Sequence, residues 1–180
     1  MTAPAGPRAV LVGPPGSGKS TVARHLATLL GVTSRDTDAD VERTAGKPIS
    51  EIFFDEGEPH FRALERDAVA TALAEHDGVL ALGGGAVLDE STQAALGRYR
   101  DSGGTVVFLD VTLAHAAPRV GFQTARPLLL SNPRAQWQAL MEARRPVYSS
   151  VATMHVLTDD VKPADVAARI RTALEGGSSE

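Results

Sequence analysis

The sequence predicts an α/β protein in which a doubly wound, five-stranded parallel sheet carries helices on both faces. Three observations predict it. Five short runs, Ala9–Val12, Val32–Arg35, Val79–Leu82, Thr105–Asp110 and Met154–Leu157, read as strands, and several are the continuous apolar kind that a parallel sheet buries on both sides. Between them lie segments with apolar residues at helical spacing, and strand–helix alternation with short connections specifies parallel strands joined by crossover helices. The first run passes directly into Gly13-Pro14-Pro15-Gly16-Ser17-Gly18-Lys19-Ser20, which opens a helical pattern reaching about Leu30: strand, glycine-rich loop, helix. With 180 residues and 43% apolar content, the chain fits a single domain spanning 1–180.

In the glycine-rich loop, residues without Cβ let backbone N–H groups turn inward around an anion. Lys19 adds a point charge, and Ser20 offers a hydroxyl to Mg²⁺ beside the positive end of the helix. This reads as a nucleoside triphosphate site, since a plain Gly-Pro turn explains the glycines but not Lys-Ser at that offset. The helix that follows places Val22, Leu26, Leu29 and Leu30 on one face and stops at Gly31. Asp36-Thr37-Asp38 sits where the second strand ends, on the side of a parallel sheet where ligands collect. A short helix is expected over Ile49–Phe54 and a longer one over Pro59–Glu75, with Phe61, Leu64, Ala68 and Leu73 as its apolar face. The third strand runs into Gly83-Gly84-Gly85, more glycine than a tight turn needs and suited to close approach to a ligand. Helices follow over Asp89–Tyr99, capped by Asp89 or Ser91, and over Thr112–Val120 despite Pro118. Residues 121–133 read as a mobile cover around Arg126. Helices over Arg134–Arg145 and from Pro163 to about Leu174 complete the chain.

A net charge of −4 and a pI near 5.7 lack the basic field of a nucleic-acid binder. Arginines nevertheless recur at Arg62, Arg119, Arg126, Arg144 and Arg145, the pattern expected for a small anionic ligand. The absence of cysteine excludes disulfides and thiolate-held metal. No apolar run approaches the ~18–20 residues of a membrane span, and residues 1–8 contain no apolar leader core. The expectation is a soluble, cytoplasmic, monomeric protein without membrane or nucleic-acid partners. The five histidines are scattered without the spacing of a metal pair and are assigned no chemistry.

A phosphate loop needs a carboxylate for its metal, and two strand-end candidates exist. Asp36 follows the second strand, while Asp110 ends Val-Val-Phe-Leu-Asp and imitates a Walker B aspartate, although an Asp there also suits a helix cap. Asp36 is preferred. On an extended backbone Asp36 and Asp38 point to the same side, so one can serve Mg²⁺ while the other meets an acceptor hydroxyl as base; capping a helix is the alternative for Asp38.

Taken together, these residues resemble a known family. The nucleotide loop Gly13–Thr21, Asp36-Thr37-Asp38, Phe61-Arg62-Ala63-Leu64-Glu65, Leu82-Gly83-Gly84-Gly85-Ala86, Arg126-Pro127-Leu128-Leu129 and Arg144-Arg145-Pro146-Val147-Tyr148 occur in the order and approximate spacing of the shikimate kinases, over about Arg8 to Thr172. The resemblance implies the P-loop fold of nucleoside-monophosphate kinases, with an acceptor-binding segment over about 36–65 and a lid over about 121–133. It implies ATP-dependent phosphorylation of shikimate to shikimate 3-phosphate, in aromatic-compound biosynthesis, with Mg²⁺. By the same resemblance Gly16, Ser17, Gly18, Lys19, Ser20 and Thr21 hold ATP together with Arg119, which packs on adenine, and Arg126, which reaches the transferring phosphoryl group. Ser20 and Asp36 serve the metal, and Asp38 binds the reacting diol. Arg62, Arg144 and Gly83, Gly84 and Gly85 hold the shikimate carboxylate. Lys19, Asp38 and Arg126 are thereby the catalytic set.

The chain departs from the pattern at Pro14, at Phe122-Gln123, at Val147 and at Val161-Lys162 in the adenine loop, where Lys162 is a weak candidate contact. A gluconate kinase would share the phosphate loop, but the Asp-Thr-Asp, Phe-Arg and triple-Gly set disfavours it. A non-catalytic ATP-dependent interaction protein would be expected to have lost Lys19, Asp38 or Arg126.

Overall fold

The computed structural model describes residues 6–120 and 132–177. The strands are β1 (Ala9–Val12), β2 (Ser34–Asp36), β3 (Val79–Ala81), β4 (Val106–Asp110) and β5 (Met154–Leu157), all parallel in one five-stranded sheet of order β2-β3-β1-β4-β5. The helices are α1 (Lys19–Leu30), α2 (Thr37–Ala45), α3 (Ile49–Glu56), α4 (Glu58–Glu75), α5 (Glu90–Asp101), α6 (Leu113–Val120), α7 (Pro133–Val151) and α8 (Pro163–Gly176). Because β1 lies between β3 and β4, the loop that leaves it emerges at the middle of the sheet's C-terminal edge.

Side-chain alternation along the strands divides the core in two. Val10, Val12, Leu80, Val106 and Phe108 face α4, α5 and α7, meeting Val69, Leu96, Met141 and Tyr148. Ala9, Leu11, Val79, Ala81, Val107 and Leu109 face α1 and α8, meeting Val22, Leu26, Val166 and Ile170. Both sets are buried, which is why β1, β3 and β4 read as continuous apolar runs. A separate small cluster of Val41, Ile52 and Phe61 ties α2, α3 and α4 together beyond the edge of the sheet.

Several elements differ from the sequence reading. The second strand begins at Ser34 rather than Val32, because Gly31 ends α1 in the left-handed region and the Val32 N–H is spent on Ala27 O of that terminal turn. The face of α4 turned fully inward is Phe61, Glu65, Val69 and Ala72, whereas Leu64, Ala68 and Leu73 are partly buried at its margins. Helix α7 continues through Pro146 to Val151, since burial of Tyr148 and Val151 outweighs the missing Pro N–H. Asp89 is the cap of α5, accepting from the Thr92 N–H at 3.0 Å. Of the expected cover over 121–133, all but the first residues of α7 and the preceding Asn132 lie outside the described residues.

Candidate active site

Gly13 has φ 152° and packs so closely on β4 that a Cβ there would lie 2.4 Å from Leu109 O. This contact sets the loop against the sheet. Gly18 then caps α1 at φ 86°, and the Lys19 ammonium folds back to donate to Gly13 O at 2.8 Å and Pro14 O at 3.0 Å. The buried Ser17 hydroxyl has no hydrogen-bond partner among the described residues. An unanswered polar atom inside an anion-binding loop is a place for a ligand oxygen.

Asp36 joins the loop to the second strand. Its Oδ2 accepts from the Ser20 hydroxyl at 2.5 Å, and its Oδ1 accepts from the Asp38 N–H at 2.9 Å, capping α2. The cap considered for Asp38 is therefore made by Asp36. Two hard oxygen donors at a helix N-terminus suit Mg²⁺, which keeps most of its water and phosphate ligands.

Between β1's loop and the end of β2, where the strand order puts the end of β3, lies the triple-glycine turn, and a Cβ on any of its glycines would crowd a neighbour. A Cβ on Gly83 would come within 2.6 Å of Asp38 Oδ1 and 2.8 Å of Glu65 Oε2. One on Gly84 would press on the Pro15 ring at 3.1 Å, and one on Gly85 would meet the Arg62 guanidinium at 2.6 Å. Arg62 donates to Glu65 Oε1 at 2.8 Å and to Glu58 Oε1 at 3.3 Å, so two carboxylates hold its fork. Burial pushes the Glu65 carboxyl above the usual carboxylate range, against the pull of Arg62. Arg144 is only 6% exposed and its Nε is without a partner among the described residues. The Tyr148 hydroxyl donates to Gly84 O, and burial raises its pKa while Arg144 lowers it.

A cleft of about 270 Å³ opens beside the phosphate loop, lined by Ser17, Gly18, Thr21, Arg119, Thr158 and Val161 among others. Arg119, on α6, also donates to Gly16 O at 3.2 Å. Lys162 is not among the lining residues; its backbone begins α8, while Val161 faces the cleft.

The fold thus brings together Gly16 to Thr21, Asp36, Asp38, Arg62, Gly83 to Gly85, Arg119 and Arg144. Arg126 lies outside the described residues. Asp110, the rival metal carboxylate, is 6% exposed and occupied: it pairs with Arg145 and with His155 Nε2 at 3.0 Å, and takes the Val111 N–H at 2.8 Å. It starts no helix either, since α6 begins at Leu113.

The family model for shikimate kinase matches residues 15–175. A shikimate kinase of Salinispora arenicola is 60% identical over 168 residues, covering 93% of this chain and 98% of that protein. The chain belongs to the shikimate kinase family. Among solved structures, shikimate kinase from Acinetobacter baumannii in complex with shikimate superposes with a TM-score of 0.90 at 34% identity, covering 97% of this chain and 96% of that one. A gluconokinase from Sinorhizobium meliloti, with a TM-score of 0.53 at 22% identity, shares the fold alone. Within this shikimate kinase family member, sequence reasoning assigned no role to Glu65, Thr158 or Tyr148. An acid three residues from Arg62 on an otherwise apolar face is a signal that points to the first.

Proposed function

We propose that the chain transfers the γ-phosphoryl group of ATP to the 3-hydroxyl of shikimate, giving shikimate 3-phosphate and ADP, as a step of aromatic amino acid biosynthesis. The observation that supports this reading is that one glycine turn touches Pro15 of the phosphate loop, Asp38 and Arg62, while Arg62 and the buried Arg144 both act on Tyr148, whose hydroxyl donates to the same turn. A donor phosphate and an acid-bearing acceptor would meet at the Asp38 carboxylate. The complex of the Acinetobacter relative with shikimate supports the choice of acceptor.

In the proposed division of roles, Gly16 to Thr21 cradle the phosphates, Lys19 leaves the Gly13 and Pro14 carbonyls to neutralise the transferring group, and Arg119 lies along the adenine. Ser20 and Asp36 would hold Mg²⁺, which when bound neutralises phosphate charge. The acceptor oxygen bonds to γ-phosphorus as the bond to the β–γ bridging oxygen breaks, and the hydroxyl proton passes to Asp38. Arg62, Arg144 and Gly83 to Gly85 hold the acceptor carboxylate, and Arg126 stabilises the transferring phosphoryl from a lid over 121–133. The acidic net charge supports small substrates over nucleic acid. Among the described residues no helix is long and apolar enough to cross a membrane. A monomeric, cytoplasmic, single-domain enzyme is the state that accompanies this proposal.

A coupled assay for ADP release with Mg-ATP, run with shikimate, with gluconate and with no acceptor, tests the reading. ADP release that depends on shikimate alone is expected. Equal release with gluconate, or none with either, would overturn it.

A further inference from the structure

One network beside the nucleotide cleft is used by none of these roles. One wall of the cleft is Arg119 on α6, and the other is the loop of residues 158–162 through Thr158 and Val161. The base of that loop is fixed to β4, because the Thr158 N–H and hydroxyl both donate to Asp110 O, at 2.9 and 2.8 Å. Its tip is fixed to α6. The Thr112 N–H donates to Asp159 Oδ1 at 3.0 Å, and His115 reaches across with both ring nitrogens. Nδ1 lies 3.1 Å from Thr112 Oγ1 and 3.3 Å from Asp159 Oδ2, and Nε2 lies 3.0 Å from Asp160 Oδ1. Asp160 has φ 57°, a left-handed conformation that costs a non-glycine residue free energy and has to be held by its surroundings.

We propose that His115 is a positioning residue for the nucleotide: it fastens the 158–162 loop to α6, sets the spacing between Arg119 and Val161, and does so most firmly as an imidazolium. A neutral imidazole carries one N–H, so it donates to one carboxylate while its other nitrogen accepts the Thr112 hydroxyl. An imidazolium donates to Asp159 and Asp160 together. The other charged groups on the two elements are Arg119, one turn further along α6, and Lys162 at the start of α8. Burial works against the Asp159 charge, but Thr112, His115 and Arg119 outweigh it and hold that carboxyl below its ordinary range. Nucleotide affinity is therefore tied to a histidine that touches neither phosphate loop nor acceptor site.

The proposal rests on this cleft being the nucleotide site, which Arg119→Ala tests separately: unchanged ADP affinity in that variant would remove the cleft assignment itself. For His115, ADP and shikimate affinities are measured by calorimetry on the whole protein from about pH 5 to about pH 8. Partly exposed ion pairs are individually weak, so His115→Ala should weaken ADP binding about three- to five-fold at the acidic end, leaving shikimate binding unchanged. Wild-type affinity for ADP should fall as the pH rises, more steeply than in His115→Gln. That variant keeps one N–H donor for Asp160 without titrating, and should recover part of the lost affinity. Asp160 is 88% exposed, so Asp160→Asn is harmless to folding and should reproduce the weaker ADP binding if His115→Ala proves unstable. Wild-type ADP affinity in both His115→Ala and Asp160→Asn, equal weakening of both ligands, or a wild-type pH slope in His115→Gln would each overturn the proposal.

Discussion

At the scale of single residues, the site is a set of charges held in place before any ligand arrives. Lys19 rests on two carbonyls of its own loop, a pair of neutral acceptors that a phosphate would replace with charge in the proposed role. Lys19→Met should fold, because nothing in the core depends on the ammonium, yet lose on the order of 10²–10³ in turnover, the usual worth of a donor aimed at developing charge. Steady-state kinetics beside a thermal melt checks this, and wild-type turnover would remove the loop's assigned role. Arg62 and Arg144 differ in support: the first is held by Glu65 and Glu58, whereas the second is buried with an orphaned Nε. Charged hydrogen bonds contribute about 1.5–3 kcal/mol, so Arg62→Ala or Arg144→Ala should weaken shikimate binding by roughly 10- to 150-fold while ATP binds nearly as before. Equal loss of both ligands in a folded variant would sink the carboxylate assignment.

Elements carry two further consequences. Helix α5 is capped by Asp89, whose carboxyl is pushed down to about 2 by the Ser91 hydroxyl, with the Thr92 N–H and Arg66 adding to the effect. Because the folded value lies below that of a free carboxyl, its contribution is complete above about pH 4 and disappears as the pH falls toward about 2. Asp89→Asn keeps a cap acceptor but loses the charge, so its stability should fall less over that interval than the wild type's, as read from urea midpoints across the pH series. In α7, the sole tryptophan is more than a neighbour of the expected lid. Trp137 is 2% exposed and its indole N–H lies 3.4 Å from Pro15 O of the phosphate loop. Titration with ADP alone should therefore change its emission without shikimate, and a flat titration at saturating ADP would show that loop occupancy does not reach the indole.

For the molecule as a whole, the two-sided core makes the central strands the common support of the phosphate loop and the triple-glycine turn. Leu11 is fully buried on β1, directly before the phosphate loop, and faces the α1 and α8 layer. Leu11→Ala should cost about 2–5 kcal/mol in denaturant unfolding, the range for a large-to-small change in a well-packed core. A loss under about 0.5 kcal/mol, typical of surface positions, would contradict the packing described. The five strands, their parallel run and the phosphate loop were legible because each depends on local pattern: apolar runs, short connections, and glycines before Lys-Ser. That Asp110 is occupied was not legible, since Arg145 and His155 reach it from elements far along the chain.

By itself, the amino-acid order determined what local sterics and hydrophobic periodicity govern. That covers the strand–loop–helix around Lys19, the stop of α1 at Gly31 and the identities of the chemically able residues, and it narrowed the cap of α5 to Asp89 or Ser91. Only the tertiary structure decided which of those residues share a site. It ran α7 through Pro146 because Tyr148 and Val151 are buried, and turned Glu65 inward to hold Arg62. It pressed the glycine turn so tightly against Asp38, Pro15 and Arg62 that no Cβ fits at Gly83 or Gly85 without displacing a neighbour. Apart from the Arg62–Glu65 pair, such outcomes depend on contacts between residues about 20 to more than 100 positions apart, as with Arg119 and Gly16 or Trp137 and Pro15. Burial free energy is settled by the whole packed surface, whereas propensity and spacing act only over a few residues.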